Sequence, residues 1–212
     1  MKKATMICGY PGDQTQVRVR GDLIAVDYGV QFALENKLPI KYAIGDFDTL
    51  PPQSYQQLNK SATKVQKLAK AKDQTDTEAA LELLLQQYQE VHIYHAFGGR
   101  LDHTIANLKC FAKYQAKGLN IYLHGTNYCG RYYLPGCYQL YATDYVLPYY
   151  SFFAFSDINN WSLQGMKYNV QQRRLNCFET YAISNEIVAE YAQLSFDQGV
   201  LLFLNTKDQD IC

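Results

Sequence analysis

The chain has 212 residues, 48% of them hydrophobic, and its twenty basic residues balance twenty acidic ones. This length suits one large domain or two modest ones, and the hydrophobic fraction is ample for a core. The net charge is zero, so the chain lacks the excess of basic residues that is typical of nucleic-acid-binding proteins. The charge balance also gives no indication that the chain binds a membrane surface. No apolar run approaches the roughly 18 residues of a membrane-spanning helix, and the run after Lys3 is too short for a signal peptide.

Six cysteines are present, but none forms a CxxC pair or stands in zinc-ligand spacing with the four histidines. Reduced, mostly buried thiols are typical of the cytoplasm. We therefore predict a soluble cytoplasmic protein with no nucleic-acid and no membrane partner.

Strand-like and helix-like patterns alternate over residues 1–125. The predicted strands are residues 5–8, 23–26, 40–44, 65–68, 92–95 and 120–124. The predicted helices are residues 28–36, a helix opened by the prolines at 51 and 52, residues 75–88, and residues 101–117. Strands that alternate with helices imply βαβ units and a mainly parallel sheet.

Two of these helices carry recognisable ends. Thr75 with Glu78 three residues later is a capping-box pattern, in which the threonine side chain accepts from a free backbone N–H. Gly118 stands where glycine commonly closes a helix.

The helical periodicity of apolar residues ends after Gly125. Short β-prone runs follow at residues 131–134, 138–141, 151–155, 162–168 and 200–204, separated by turn residues. This is the pattern of an antiparallel sandwich or barrel. We predict an α/β domain with a mainly parallel sheet at 1–125 and a C-terminal antiparallel β-sandwich domain at 126–212.

Three acidic clusters lie between residues 41 and 107, each next to a predicted strand end or helix start. They contain the aspartates Asp46, Asp48, Asp73, Asp76 and Asp102. Ligands of open α/β sheets bind outside the carboxyl ends of the strands, so these side chains are expected to meet there. Neighbouring carboxylates raise one another's pKa values, and a hard cation such as Mg2+ removes that penalty.

Asp46 and Asp48 flank Phe47. On extended backbone, residues two apart point to the same side, so both carboxylates would address one ion while Phe47 enters the core. The alternative is a polar turn in which the aspartates bond their own backbone.

The other clusters combine carboxylates with groups suited to phosphate. Gln74 and Thr75 add neutral donors for phosphate or ribose, and Arg100 after two glycines offers a planar fork for phosphate oxygens. Helix capping remains the alternative for the aspartates at helix starts. His103 and Asn107 are four apart on one helix face. Taken alone, each is interpreted as a packing or surface residue.

Several common sites are absent from the sequence. There is no GxxxxGK[ST], no GxGxxG and no GxSxG, which argues against P-loop kinases, dinucleotide-binding Rossmann sites and α/β-hydrolases. Metal-assisted chemistry on a phosphorylated substrate remains, in which the protein mostly positions groups and neutralises charge.

Six segments in order resemble the thiamine pyrophosphokinase (thiamine diphosphokinase) family. They are Asp27-Tyr28-Gly29, Gly45-Asp46-Phe47-Asp48-Thr49, Asp73-Gln74-Thr75-Asp76, Gly99-Arg100-Leu101-Asp102-His103 with Asn107, Gly165-Met166-Lys167-Tyr168 and Ile183-Ser184-Asn185-Glu186. The chain departs from the common family pattern at Tyr28 and at Asn169, where many members have glycine and proline.

The resemblance implies that ATP donates its β,γ-diphosphoryl group to the hydroxyl of thiamine, giving AMP and thiamine diphosphate. It also implies that the α/β domain holds ATP and Mg2+, and that a homodimer holds thiamine between its subunits. The metal ligands are then Asp46, Asp48 and Asp76, with Asp73 as a further ligand. Asp102 would bind a second ion or orient the attacking hydroxyl, and either Asp76 or Asp102 would accept its proton.

The resemblance also suggests which residues contact the two substrates. The expected ATP-side residues are Asp27, Gln74, Thr75, Arg100, His103 and Asn107. Tyr168 would stack on the thiazolium cation, and Ser184 and Asn185 would bond the aminopyrimidine edge. Two alternatives share these side chains: a Mg2+-dependent nucleotide hydrolase, and a sensor that binds thiamine or a nucleotide without turning it over.

Overall fold

The computed structural model of the chain describes residues 1–9, 12–70 and 73–208. The chain divides into two compact units, Met1–Thr126 and Asn127–Cys212. Over the described ranges, no helix is both long enough and apolar enough to span a membrane.

The first unit contains a parallel sheet with helices between its strands. Its strands are β1 (Lys3–Ile7), β2 (Asp22–Val26), β3 (Ile40–Gly45), β4 (Lys64–Lys67), β5 (Glu90–Tyr94) and β6 (Asn120–His124). Its helices are α1 (Gly29–Glu35), α2 (Pro52–Lys60), α3 (Asp76–Gln87) and α4 (Leu101–Ala116). Every strand pair in this unit is parallel, which confirms the predicted α/β class.

The strands of the first unit lie in the order β4-β3-β2-β1-β5-β6. From β1 the chain therefore adds β2, β3 and β4 on one side of the sheet, and then β5 and β6 on the other side of β1. Ile7 at the end of β1 is in register with Ala25 of β2 and Tyr94 of β5. Ligands of doubly wound sheets bind at such a reversal, outside the carboxyl ends of the strands.

Apolar side chains from the sheet and from α1 and α2 form one core of this unit. It includes Ile7, Leu23, Val30, Phe47 and Leu58, all buried. Strands that are covered on both faces read as near-continuous apolar runs, and for this reason the runs at β2 and β3 were recognisable in the sequence.

A polar cluster lies at the β5 and β6 strands of the same unit. The His92 Nε2 atom lies 2.8 Å from the Glu90 carboxylate, and its Nδ1 atom lies 2.8 Å from His124 Nε2. Arg20 donates to His92 Nδ1 at 3.0 Å. Because arginine only donates, His92 Nδ1 accepts and Nε2–H donates to Glu90.

Both histidines of this cluster resist protonation. Burial lowers the pKa of His92, and burial together with the neighbouring His92 and Arg20 lowers the pKa of His124 to about 4. The unfolded chain takes up a proton on each histidine near pH 6.5, and the folded chain takes it up only at lower pH. These groups therefore reduce stability as the pH falls through this window.

We expect His124→Phe to gain stability relative to the unmodified chain as the medium is acidified. The free energy of unfolding of the variant minus that of the unmodified chain should rise by about 2 kcal/mol as the pH falls from about 7 to about 4.5. Asp27, whose pKa is raised, titrates in the same range with the opposite sign, so the difference between the two proteins is the quantity to measure. Urea denaturation of both proteins at each pH checks this, and a pH-independent difference would contradict it.

The second unit contains two antiparallel sheets. Its strands are β7 (Tyr128–Tyr133), β8 (Gly136–Tyr141), β9 (Tyr149–Ala154), β10 (Ile158–Gln164), β11 (Val170–Leu175), β12 (Tyr191–Phe196) and β13 (Leu201–Thr206). Within this unit one sheet has the order β7-β13-β9 and the other the order β11-β10-β12-β8. Side chains of both sheets share one buried core, including Phe152, Trp161, Leu194 and Phe203. This confirms the predicted antiparallel sandwich.

The structure corrects two details of the predicted second unit. The strands β11 and β12 were not predicted: β11 is mostly exposed and polar, whereas β12 alternates buried apolar and exposed residues and was overlooked. The strand predicted at 162–168 instead ends at Gln164, since Gly165 turns the chain with φ +76. Tyr168 therefore lies in a turn.

Candidate functional site

Two aspartates follow adjacent strands at the carboxyl edge of the parallel sheet. Asp27 comes directly after β2, and Asp46 comes directly after β3. The Asp27 N–H donates to the Ile44 carbonyl of β3 at 2.9 Å. A Cβ on Gly45 would lie 2.6 Å from Asp27 Oδ1 and 3.2 Å from Asp27 Cα. Glycine at 45 therefore lets the Asp27 carboxyl lie against β3.

The Asp27 carboxyl lies in a strongly unfavourable environment for a negative charge. Its burial, the neighbouring carboxyl of Asp76 and then that of Asp46 raise its pKa to about 7, against a weaker opposing hydrogen bond from the Phe47 backbone. Its Oδ1 atom is buried without a hydrogen-bond partner. The structure thus brings Asp27, Asp46 and Asp76 together, from the ends of two strands and the start of α3.

The segment from Asp46 to Asp48 is a turn, and the predicted extended backbone is wrong. Phe47 has φ +58, and the Asp48 N–H donates to Asp46 Oδ1 at 3.1 Å. Phe47 is buried as expected, but Asp48 is exposed. Its carboxylate lies 3.0 Å from Lys70 Nζ, and this ion pair lowers the pKa of Asp48. In this turn Asp46 therefore holds the backbone N–H of Asp48, while the Asp48 carboxylate pairs with Lys70.

The start of α3 supplies the third carboxylate. Thr75 is the N-cap residue, and its Oγ1 accepts from the Glu78 N–H at 3.1 Å, which confirms the predicted cap. Asp76 opens the helix, where a negative charge is favoured by the helix N-terminus. Asp73 and Gln74 are exposed, and Gln74 donates to Glu82 at 3.1 Å.

Arg100 and Asp102 pair with each other at the start of α4. The Arg100 guanidinium donates to both carboxylate oxygens of Asp102, at 3.1 Å and 2.6 Å. This pairing lowers the pKa of Asp102. Both side chains are exposed, so each is accessible to a ligand but is already neutralised by the other.

The two remaining residues predicted on α4 differ in exposure. His103 is exposed. Asn107 is buried, and its Nδ2 donates to the Ala96 carbonyl at 2.8 Å. Asn107 therefore holds the loop that follows β5, which leads to the two glycines and Arg100.

The predicted thiamine residues lie in the second unit. Tyr168 is 62% exposed and Ser184 is exposed with φ +52. Asn185 is buried, and its side chain hydrogen-bonds the backbone of Tyr168 and Glu186. The three residues are thus brought into one region, with Asn185 facing the protein backbone.

The carboxylates at the sheet edge do not by themselves form a full metal shell. Across residues 1–9, 12–70 and 73–208, no three or more His, Cys, Asp or Glu side chains are arranged to hold an ion. Mg2+ is usually held by one or two carboxylates together with substrate phosphates and water, so a full protein shell is not needed. A half-buried carboxyl with one buried, unpartnered oxygen, beside two more carboxyls, fits such a cation.

Sequence patterns alone gave no role to two residues near this edge. Asp27 entered only through the family resemblance, although its place directly after an apolar strand was a usable signal. Asp13 had no signal. Its Oδ1 accepts from Thr15 Oγ1 at 2.6 Å and from Thr126 Oγ1 at 2.7 Å, and these bonds lower its pKa despite partial burial.

Comparisons with known proteins match both units. Residues 20–123 match the family model "Thiamin pyrophosphokinase, catalytic domain", and residues 138–201 match "Thiamin pyrophosphokinase, vitamin B1 binding domain". A thiamine pyrophosphokinase of Bacillus subtilis is 30% identical over 187 residues, which cover 87% of each chain.

Solved structures agree with this match. A thiamine pyrophosphokinase structure from Bacillus subtilis superimposes with a TM-score of 0.87 at 27% identity, covering 98% of this chain and 100% of that one. A thiamin pyrophosphokinase family protein from Enterococcus faecalis gives 0.85 at 28% identity, covering 99% and 100%. The chain belongs to the thiamine pyrophosphokinase family.

Proposed function

We propose that the chain transfers the diphosphoryl group of ATP to the hydroxyl of thiamine, giving AMP and thiamine diphosphate. The observation that carries this proposal is the meeting of the Asp27, Asp46 and Asp76 carboxyls at the carboxyl edge of the sheet. All three lie within the segment that matches the catalytic domain of the family.

Mg2+ would be held by Asp27, Asp46 and Asp76, with the exposed Asp48 and Asp73 beside them. When bound, the ion neutralises the charge of the triphosphate. The protein's own part is to hold carboxylates at a spacing where they repel, so that the site is ready for a cation without rearrangement. Asp48 would first have to exchange its Lys70 partner for such an ion.

The nucleotide would lie along the starts of α3 and α4. Gln74, Thr75 and His103 offer exposed polar groups there, and Arg100 offers two N–H groups for phosphate once Asp102 releases it. Asn107 contributes by holding the loop before Arg100.

The proton of the thiamine hydroxyl must go to a carboxylate. Asp76 or Asp102 would accept it, and Asp102 would also orient the attacking hydroxyl once Arg100 has turned from it to phosphate.

Thiamine would be recognised in the second unit, which matches the vitamin B1 binding domain. The exposed ring of Tyr168 presents a face to the thiazolium cation, and Ser184 presents a hydroxyl to the aminopyrimidine. We include in the proposal a homodimer with thiamine held between its subunits and a cytoplasmic location. Light scattering during size-exclusion chromatography tests the dimer.

ATP consumption with and without thiamine tests this function. We expect consumption with Mg2+ to depend on thiamine and to yield AMP, and Asp46→Asn to lose it. Thiamine-independent ATP loss at an equal rate would instead support a nucleotide hydrolase. Binding of both substrates without any turnover would support a sensor.

A further inference from the structure

Asn185 uses its side chain to hold a neighbouring turn. Its Oδ1 accepts from the Tyr168 N–H and from the Glu186 N–H, each at 3.0 Å, and its Nδ2 donates to the Tyr168 carbonyl at 2.8 Å. The residue is only 5% exposed. Because a carboxamide oxygen has two acceptor positions, both are occupied within the protein.

The segment that carries Asn185 is itself firmly placed. Its backbone exchanges two hydrogen bonds with Tyr150 of β9, at 2.9 Å and 2.8 Å. The turn after β10 is bound to the same segment, since the Lys167 N–H donates to the Glu186 carbonyl and the Val188 N–H donates to the Gly165 carbonyl. Asn185 therefore anchors Tyr168 to the edge of the sandwich.

Tyr168 combines an anchored backbone with an open ring. Both its N–H and its carbonyl are bonded to Asn185, while 62% of the residue is exposed. The ring already attracts one cation, because Lys167 Nζ lies 5.9 Å from its centroid. An aromatic face held in advance binds a cationic ring more tightly than one that must be ordered on binding.

We propose that Asn185 is a positioning residue for thiamine that acts through Tyr168, and that it does not bond the aminopyrimidine. This inference rests on the proposed function, in which the ring of Tyr168 stacks on the thiazolium cation. It replaces the role that the family resemblance suggested for Asn185.

Binding calorimetry on a double-mutant cycle tests this proposal. The proteins are the unmodified chain, Asn185→Ala, Tyr168→Ala and the double variant. The ligands are thiamine and a hydroxyethyl-thiazolium fragment that lacks the aminopyrimidine. We expect Asn185→Ala to weaken both ligands about tenfold, in the range of a partly desolvated cation–π contact, and to cause no further loss in the Tyr168→Ala background.

Two results would overturn the positioning role. One is additive losses in the double variant, and the other is a loss confined to thiamine with the fragment unaffected, as a direct aminopyrimidine bond requires. Unchanged affinity in Tyr168→Ala would overturn the positioning role together with the stacking. An unmodified chain that binds no thiamine would contradict the proposed function itself.

Asn205 provides a matched control for lost stability. It is fully buried in the same unit, and its side chain accepts from the Leu147 N–H and donates to the Leu147 and Tyr149 carbonyls. Asn205→Ala should lower the melting temperature as Asn185→Ala does while leaving thiamine affinity unchanged.

If Asn185→Ala does not fold, Asn185→Asp tests the same proposal. It replaces only the Nδ2 group, which donates to the Tyr168 carbonyl, with an oxygen that repels this carbonyl. Unchanged affinity in that variant would also overturn the proposal.

Discussion

Asp27→Asn should yield a protein that is inactive yet more stable than the unmodified chain in the absence of metal. The amide keeps the shape of the carboxyl but removes the negative charge that burial and Asp76 disfavour, as the raised pKa of about 7 records. Above that pH the folded chain carries this unfavourable charge, so at about pH 8 the variant should gain about 1 kcal/mol or more in free energy of unfolding. Thiamine diphosphate formation should fall at least about a hundredfold, because a cation loses a ligand worth several kcal/mol.

Asp22→Asn is the matched control at the other end of β2. The Asp22 carboxylate lies 2.6 Å from Lys41 Nζ and accepts from Tyr88 at 2.7 Å, and these contacts lower its pKa. Its replacement should lower the free energy of unfolding by about 1 kcal/mol or less and leave activity unchanged. The two variants should thus show stability changes of opposite sign, and only Asp27→Asn should lose activity. An active Asp27→Asn, or one that loses stability like Asp22→Asn, would show that Asp27 has an ordinary structural role.

Gly29→Ala should produce a large loss of stability in the first unit. A Cβ at this position would lie 2.3 Å from the Ile7 carbonyl oxygen and 3.0 Å from that of Cys8. Both atoms belong to backbone at the end of β1, so α1 would have to move away from the sheet. Overpacking of this kind costs about 3 kcal/mol, or a melting temperature lower by roughly 6 to 12 °C for a chain of this size.

Gly9→Ala separates crowding from the general effect of replacing glycine. A Cβ at Gly9 would meet the Tyr28 side chain at 3.4 Å, an ordinary contact, and so this variant should melt close to the unmodified chain. Differential scanning calorimetry on both variants measures the contrast. Equal melting temperatures would mean that α1 is not held against β1 as closely as the structure has it.

The sequence predicted most strands and helices of the first unit because each carries a regular pattern. Apolar runs identified β2 and β3, and the Thr75 cap identified the start of α3. The strand β11 was missed because four of its six residues are exposed, whereas β12 alternates buried and exposed residues and was overlooked despite that signal. Periodicity detects burial, so a mostly exposed strand leaves little signal.

The site was predictable in its chemistry but less so in its geometry. The order of acidic motifs indicated a carboxylate cluster, but the left-handed backbone at Phe47 places Asp46 and Asp48 in a turn that leaves Asp48 exposed. A phenylalanine gives no local indication of positive φ, which is uncommon in residues other than glycine. The inward orientation of Asn185 was equally hidden, because it depends on a turn seventeen residues away.

Binding of Mn2+, a spectroscopic substitute for Mg2+, most directly tests the claim that these carboxylates hold a divalent ion with the triphosphate. Electron paramagnetic resonance would compare the unmodified chain with Asp27→Asn, Asp46→Asn and Asp76→Asn, each in the presence of ATP. We predict that the unmodified chain binds the ion with ATP and that each variant binds it at least about tenfold more weakly, as loss of one carboxylate ligand requires. Equal binding by all four proteins would contradict the account.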